Sequence, residues 1–316
     1  MTAATAQAQA RDRARSRRIS GGRDKPSLVK QLVLQAICLG ILFTVMFPVM
    51  WILSMALDPR NLSRPDGLNL IPPGASLEAF RQVIAQPTVN PVTFVELALN
   101  SLKIAAGTSL ASVMIGVLAA YVLSRFDFRG RQVLMIAILG VLMLPAVATL
   151  APLFITLNQV RFDLPVLGEF NLRNSLLGVM IAITSGLLPF AIWNLKGYMD
   201  TIPRELEEAA AVDGATKNQT FFRVILPLAT PALAVTAFLG FLSGWTEFYF
   251  SWQFLENPKD FTLAMALYNL VGQYARTTPW SQFAAFAILT ALPVSVVYFI
   301  FQRYIVSGLA IGGVKG

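Results

Sequence analysis

Little in this 316-residue chain could do chemistry, and the gaps are specific. No residue is histidine, so the commonest general base and metal ligand near neutral pH is missing. The one thiol, Cys38, lies in an apolar run and leaves no intrachain disulfide or thiolate cluster. No aspartate pair is spaced for magnesium and diphosphate, and no GxxxxGK[ST] loop is present to cradle a nucleotide. The reading is therefore no catalytic residues, no metal ligands and no cofactor in this chain, with the energy for any work supplied by a partner.

What the chain does hold is a spaced set of residues in the segment 196–227, KGYMDTIPRELEEAAAVDGATKNQTFFRVILP. Glu208, Ala209 and Ala210 are followed after three residues by Gly214, and after nine more by Val224-Ile225-Leu226-Pro227. The chemistry this suits is docking. Small residues admit close approach of a partner, and Glu208 beside them can meet a basic group. The local signals predict a helix of about three turns over Ile202 to Asp213, with Asp200 or Thr201 as cap and Pro203 in the first turn. Glu205, Glu207 and Glu208 then lie near the positive end of the helix dipole, and Gly214 stands where the helix must stop. Thr216 and Gln219 have capping-box spacing, and Phe221, Phe222, Val224 and Ile225 form an apolar face. An amphipathic hairpin lying on the bilayer is the alternative; the acids of the first helix oppose it, because an anionic leaflet repels them.

The elements that must position this protrusion follow from composition. Hydrophobic residues make up 55% of the chain and charged residues 13%, against about 25% charged in a soluble domain, and mean hydropathy is +0.61. A bilayer is the solvent this implies. A crossing helix needs about 20 apolar residues. Uncharged runs longer than that extend from Gln31 to Leu57, Ile104 to Ser124, Gln132 to Val160, Asn174 to Leu195, Val224 to Thr246 and Thr277 to Gln302. The fold expected is an all-α membrane protein with six transmembrane helices. An even count puts both termini on one side, and that side carries 17 of the 25 basic residues, so the termini are expected in the cytoplasm. The net charge of +8 then reports orientation, not nucleic acid.

Ionisable groups are nearly absent from the spans. Glu96, Glu247 and Lys103 alone approach membrane depth, near span ends, whereas ion-driven carriers and intramembrane enzymes keep such groups inside. Pro48, Pro145, Pro152, Pro189 and Pro293 should bend the spans. Asn158, Thr184, Ser185, Asn194, Ser243 and Thr246 either line a wet path for a hydroxyl-rich solute or hydrogen-bond between helices.

The spacing EAA-x3-G-x9-V-I-L-P resembles the EAA loop of ABC importer permeases, EAA-x3-G-x9-I-x-L-P, with Val224 the single departure. The match runs on through Asn100-Ser101-Leu102, VILPLATPALAV and the terminal QRYIVSGLAIGGVKG, covering roughly residue 28 to the end, and is most similar to the smaller permease subunits of the maltose/maltodextrin branch. That resemblance implies the type I importer permease fold in a bacterial cytoplasmic membrane. Partners would be a second, homologous permease, an ATPase homodimer that binds ATP and Mg, an extracytoplasmic sugar-binding protein and membrane lipid. Carried over by position, Glu208, Ala209, Ala210, Gly214, Leu226 and Pro227 would dock the ATPase. Gly312, Gly313, Val314, Lys315 and Gly316, ending a tail over 306–316, would reach between its subunits. The substrate-binding residues stay unassigned, since sugar contacts in that branch fall mainly on the larger permease. Another sugar, such as trehalose, or a glycerol phosphate ester stays open as the solute; an intramembrane enzyme is disfavoured.

Residues 1–30 read as a basic, disordered cytoplasmic leader, or as an organellar transit peptide on its Ala, Arg and Ser content. The external loops are expected over 58–95 and 251–282. The second holds Trp252, Tyr268, Tyr274 and Trp280, which suit a binding protein or the membrane interface.

Overall fold

Uncharged runs this long leave the backbone no partner but itself, and helices result. The structure, a computed structural model, describes residues 27–62, 70–164, 168–271 and 278–312. Two compact units form, 1–51 and 52–316. The first holds most of α1 (Leu28–Leu57), which begins inside the expected leader and takes in Lys30; residues 1–26 of that leader lie outside the described residues. From Leu32 to Met50 every residue of α1 is exposed. Phe43, Phe47 and Trp51 follow one another at centroid spacings of 6.0 and 5.7 Å, the interval of successive helical turns. A helix that is apolar all round needs an apolar solvent.

In chain order the second unit then holds α2 (Glu78–Ala85), α3 (Phe94–Arg125), α4 (Arg131–Val141), α5 (Ala146–Gln159), β1 (Arg161–Leu164), β2 (Gly168–Asn171) and α6 (Leu176–Met199). After these come α7 (Glu205–Val212), α8 (Lys217–Leu228), α9 (Thr230–Trp245), α10 (Tyr249–Phe254), α11 (Leu263–Val271) and α12 (Trp280–Gly312). Among the described residues four helices, α1, α3, α6 and α12, are long and apolar enough to cross a membrane, and α8 with α9 makes a fifth if the pair is one span bent by 73°. The third uncharged run, expected as one span, is instead divided into α4 and α5. Pro145, at φ −64° and ψ 133°, lacks an N–H and disfavours the helical region for the residue before it, so the helix is left over Leu142–Leu144.

The all-α expectation also misses a small antiparallel hairpin. β1 and β2 pair with Phe162 opposite Phe170 and Arg161 opposite Asn171. Strands of four residues are too short to carry a legible alternation.

Helix α3 packs against both α6 and α9. Its seam with α9 is closed by small residues. A Cβ on Gly244 would lie 2.6 Å from Ala105 Cα, and one on Gly240 2.8 Å from Ser109 Cα, so only glycine lets the two backbones come this close. Ser109 Oγ crosses the same seam to the Ala237 carbonyl at 2.7 Å. Asn194 of α6 donates to Thr236 of α9 at 3.2 Å, and the Trp245 indole N–H reaches the Thr290 carbonyl of α12 at 3.1 Å.

The bend between α8 and α9 has a local cause. Phe221–Ile225 is a π-helical turn, closed by Leu226 N–H on the Phe221 carbonyl, and Pro227 and Pro231 remove two N–H donors on either side of Ala229. The Pro227 carbonyl, which Pro231 cannot serve, accepts instead from Thr230 Oγ1 at 2.6 Å.

Candidate functional site

The segment singled out by spacing folds into a hairpin of two short helices. α7 is shorter than expected, two turns over Glu205–Val212 instead of three over Ile202 to Asp213, and no side chain caps it; its N-cap is Arg204. The expected caps are engaged elsewhere. Asp200 closes α6, and Thr201 Oγ1 donates to the Tyr198 carbonyl at 2.7 Å. The C-terminal stop is as expected. Gly214 sits at φ +81°, its N–H bonds the Ala211 carbonyl at 3.0 Å and the Ala215 N–H bonds the Ala210 carbonyl at 2.9 Å. These paired bonds are a Schellman motif, which requires a left-handed residue at that place. The capping box also forms: Thr216 N–H donates to Gln219 Oε1 at 2.8 Å, and Gln219 N–H to Thr216 Oγ1 at 3.3 Å.

The hairpin brings the spaced residues to the surface. Glu208, Ala209, Gly214 and Pro227 are exposed, and Ala210 and Leu226 are half-buried. A Cβ on Gly214 would meet nothing within 4 Å, so the turn opens onto free space. Phe221 and Ile225 are buried in a cluster with Leu195, Met199 and Ile202. Phe222, expected on the same apolar face, lies in the π turn and is instead 61% exposed, and Val212, the last residue of α7, is 88% exposed. Exposed apolar and small residues flanked by acids are the kind of surface that a partner protein can cover.

The residues behind the hairpin were not found by spacing. Arg125, the last residue of α3, has a side chain 7% exposed and forms an ion pair through Nε with Glu207 of α7. Its Nη2 donates to the Ile202 carbonyl at 3.0 Å. Ser124 Oγ donates to Asp200 at 2.6 Å, and Lys196 Nζ reaches the other oxygen of the same carboxylate at 2.6 Å. Burial alone would push the Asp200 carboxyl up, but the hydrogen bonds from Lys196 and Ser124 outweigh it and hold it below the usual carboxylate range. The signal available in sequence was only that Arg125 is the first charge after an uncharged run, which every span end shares.

Away from the hairpin, Glu96 caps α3 in a capping box with Thr93, accepting its N–H at 2.7 Å. The buried Glu247 carboxylate accepts from the N–H groups of Phe250 and Ser251 at 2.6 and 2.9 Å and from Ser251 Oγ at 2.5 Å. Both acids are engaged in holding backbone. Asn158 Oδ1 accepts from Arg161, Asn171 and Arg173. Arg173, itself buried, continues to the Phe254 carbonyl at 3.0 Å and Glu256 at 2.5 Å, locking the β-hairpin to the segment after α10. Ser185 and Thr246 bond carbonyls of their own helices, and the buried Thr184 hydroxyl has no hydrogen-bond partner among the described residues. Of these polar residues, Asn158 and Asn194, the latter on Thr236, join elements to one another. Asn100 Nδ2 donates to the Lys259 and Phe261 carbonyls at 2.7 and 3.1 Å, and Ser101 Oγ accepts Leu263 N–H at 3.0 Å, which ties α3 to the segment before α11.

Of the four aromatics expected outside, Trp252 and Tyr268 meet edge to face at 5.0 Å and share contact with Phe248, Trp280 is half-buried, and Tyr274 lies outside the described residues. Within the expected tail, α12 continues through 306–312 to Gly312; Gly313, Val314, Lys315 and Gly316 lie outside the described residues.

Comparison with known proteins bears on the same segment. The family described as binding-protein-dependent transport system inner membrane component matches residues 112–311. The chain is 35% identical over 280 residues to the maltose/maltodextrin transport system permease protein MalG of Yersinia pestis, covering 86% of this chain and 89% of that protein. It is 33% identical over 271 residues to the trehalose transport system permease protein SugB of Mycobacterium tuberculosis, covering 86% and 93%. A chain of a bacterial ABC transporter involved in the import of the acidic polysaccharide alginate shares the fold with a TM-score of 0.69 at 23% identity, over 89% of this chain and 98% of that one.

Proposed function

The chain belongs to the family of binding-protein-dependent transport system inner membrane components, and on that premise we propose that it passes maltose or maltodextrins, delivered by an extracytoplasmic binding protein, through an ATP-driven importer. It is a permease subunit of an ABC sugar importer, a transport component and a multi-pass protein of the bacterial inner membrane. In this reading the broken pair α4 and α5 and the bent pair α8 and α9 each make one crossing, for six in all, so the termini share a side, and the distribution of Lys and Arg supports the cytoplasmic one.

The observation that carries the reading is the hairpin of α7 and α8, which presents Glu208, Ala209 and Gly214 outward around a left-handed turn. In this reading the hairpin seats in a cleft of an ATPase dimer. Glu208 meets a basic group there, and the small residues let the backbones approach. ATP and Mg belong to that partner. Closure of the ATPase dimer draws the hairpins of this chain and a second permease together and turns the pair outward; hydrolysis resets it, an alternating-access cycle in which this chain supplies one mechanical half. The residues of 313–316 would reach between the ATPase subunits.

Maltose is favoured as solute by the 35% identity to the maltose/maltodextrin permease. Trehalose is the second reading, favoured by a match of nearly equal strength to a trehalose permease. Uptake of radiolabelled maltose, trehalose and glycerol phosphate by vesicles holding the complete complex decides between them. Maltose is expected to accumulate with ATP inside; accumulation of trehalose without maltose would remove the solute assignment and leave the importer standing.

A further inference from the structure

We infer that the Arg125–Glu207 ion pair is the joint that passes movement of the hairpin to α3, making Arg125 a coupling residue distinct from the docking surface. The inference rests on the importer reading above and deepens it by naming how the docked segment reaches the membrane helices.

Chain connectivity poses the problem. The hairpin is joined covalently to α6 through 200–204, and to α9 through α8. Helix α3 packs against both of those helices, yet no backbone links it to the hairpin. A displaced hairpin would pull α6 and α9 and slide them past α3 unless a side chain engages α3 as well.

Arg125 does so at two points on one segment. Its Nε pairs with Glu207 and its Nη2 holds the Ile202 carbonyl at 3.0 Å, so the guanidinium grips both the linker and the first turn of α7. The grip is stiff because it is largely dry: the side chains of Arg125 and Glu207 are 7% and 20% exposed. The cleft of about 300 Å³ around the pair is lined by Tyr121, one turn before Arg125, together with Phe126, Glu208 and Lys217. The Tyr121 ring packs at 4.6 Å on Phe221 of α8, so the foot of α8 is engaged from the same turn of α3. Glu207 faces this cleft while Ala209 and Gly214 are exposed. Both acids border the cleft, but Glu207 pairs with Arg125 of α3, whereas Glu208 is exposed and available to the partner.

The test uses the complete transporter reconstituted in lipid nanodiscs with its binding protein. Arg125→Gln and Glu207→Gln are each expected to co-purify with a full ATPase dimer and keep basal ATP hydrolysis within about twofold, while binding-protein-stimulated hydrolysis and sugar uptake fall at least tenfold. The exchanged pair Arg125→Glu with Glu207→Arg is expected to recover most of that stimulation, a recovery that a loss of folding would not permit. Wild-type stimulation and uptake in both single variants would overturn the inference, as would an exchanged pair no better than the singles. Loss of the ATPase from the single variants would also overturn it, because the pair would then belong to the seat. Failure of the unaltered chain to hold an ATPase would instead strike the importer reading itself.

Discussion

Ser124 at the end of α3 donates a 2.6 Å hydrogen bond to Asp200 at the end of α6, two residues 76 positions apart in the chain. With Lys196 on the second oxygen of the same carboxylate, this bond ties the end of α3 to the end of α6, from which the chain enters the hairpin of α7 and α8.

That tie has a defined pH dependence. The Asp200 carboxyl is held below its ordinary value of 3.8, so it binds its proton more weakly in the folded protein than in the unfolded one. Its contribution is fully present above about pH 4 and is lost as the pH falls through the depressed folded value. Asp200→Asn should lower the thermal midpoint of the detergent-solubilised protein at pH 7 and flatten the loss of stability seen below pH 4. A wild-type midpoint and unchanged acid sensitivity in that variant would refute the assignment.

Gly214 tests turn geometry separately from space. Its φ of +81° disfavours any side chain with a Cβ, yet a Cβ would meet nothing within 4 Å. Gly214→Asn should keep the turn, since asparagine tolerates the left-handed region, whereas Gly214→Val should cost about 1 to 2 kcal/mol locally. Gly214→Trp is expected to insert into the membrane normally but to lose the ATPase on purification. Normal transport with a full ATPase dimer in the tryptophan variant would remove Gly214 from the docking surface.

Gly244 tests the opposite case. A Cβ there would lie 2.6 Å from the Ala105 backbone, and neither helix can yield without shifting the seam. Gly244→Ala should destabilise by about 1 to 3 kcal/mol, the range for overpacked interiors, read as a lower thermal midpoint. Gly40, which has open space around it, is the control; an alanine there should change little.

Much of the hairpin was legible in sequence because its determinants are local. The Gly214 stop and the Thr216–Gln219 box each involve bonds spanning three to five residues, and their spacing is therefore visible in one strip of chain. The length of α7 was misjudged because Asp200 and Thr201, both competent caps, bond to α6 instead. The run Gln132 to Val160 was expected to bend at Pro145; that it divides there into two helices was not legible, because hydropathy counts apolar residues and does not show how far a proline interrupts the backbone ladder.

Composition and spacing alone determined that the chain needs an apolar solvent, where its long helices lie and which segment protrudes, since these depend on hydration and on short-range hydrogen bonds. Tertiary structure alone decided the partners of Arg125, Asp200, Asn158 and Asn194, because a side chain at a helix end can pair with any group that packing brings near it. That Glu207 pairs with Arg125 while the adjacent Glu208 is exposed was likewise decided by packing, since successive residues of a helix point about 100° apart and only one of them reaches α3.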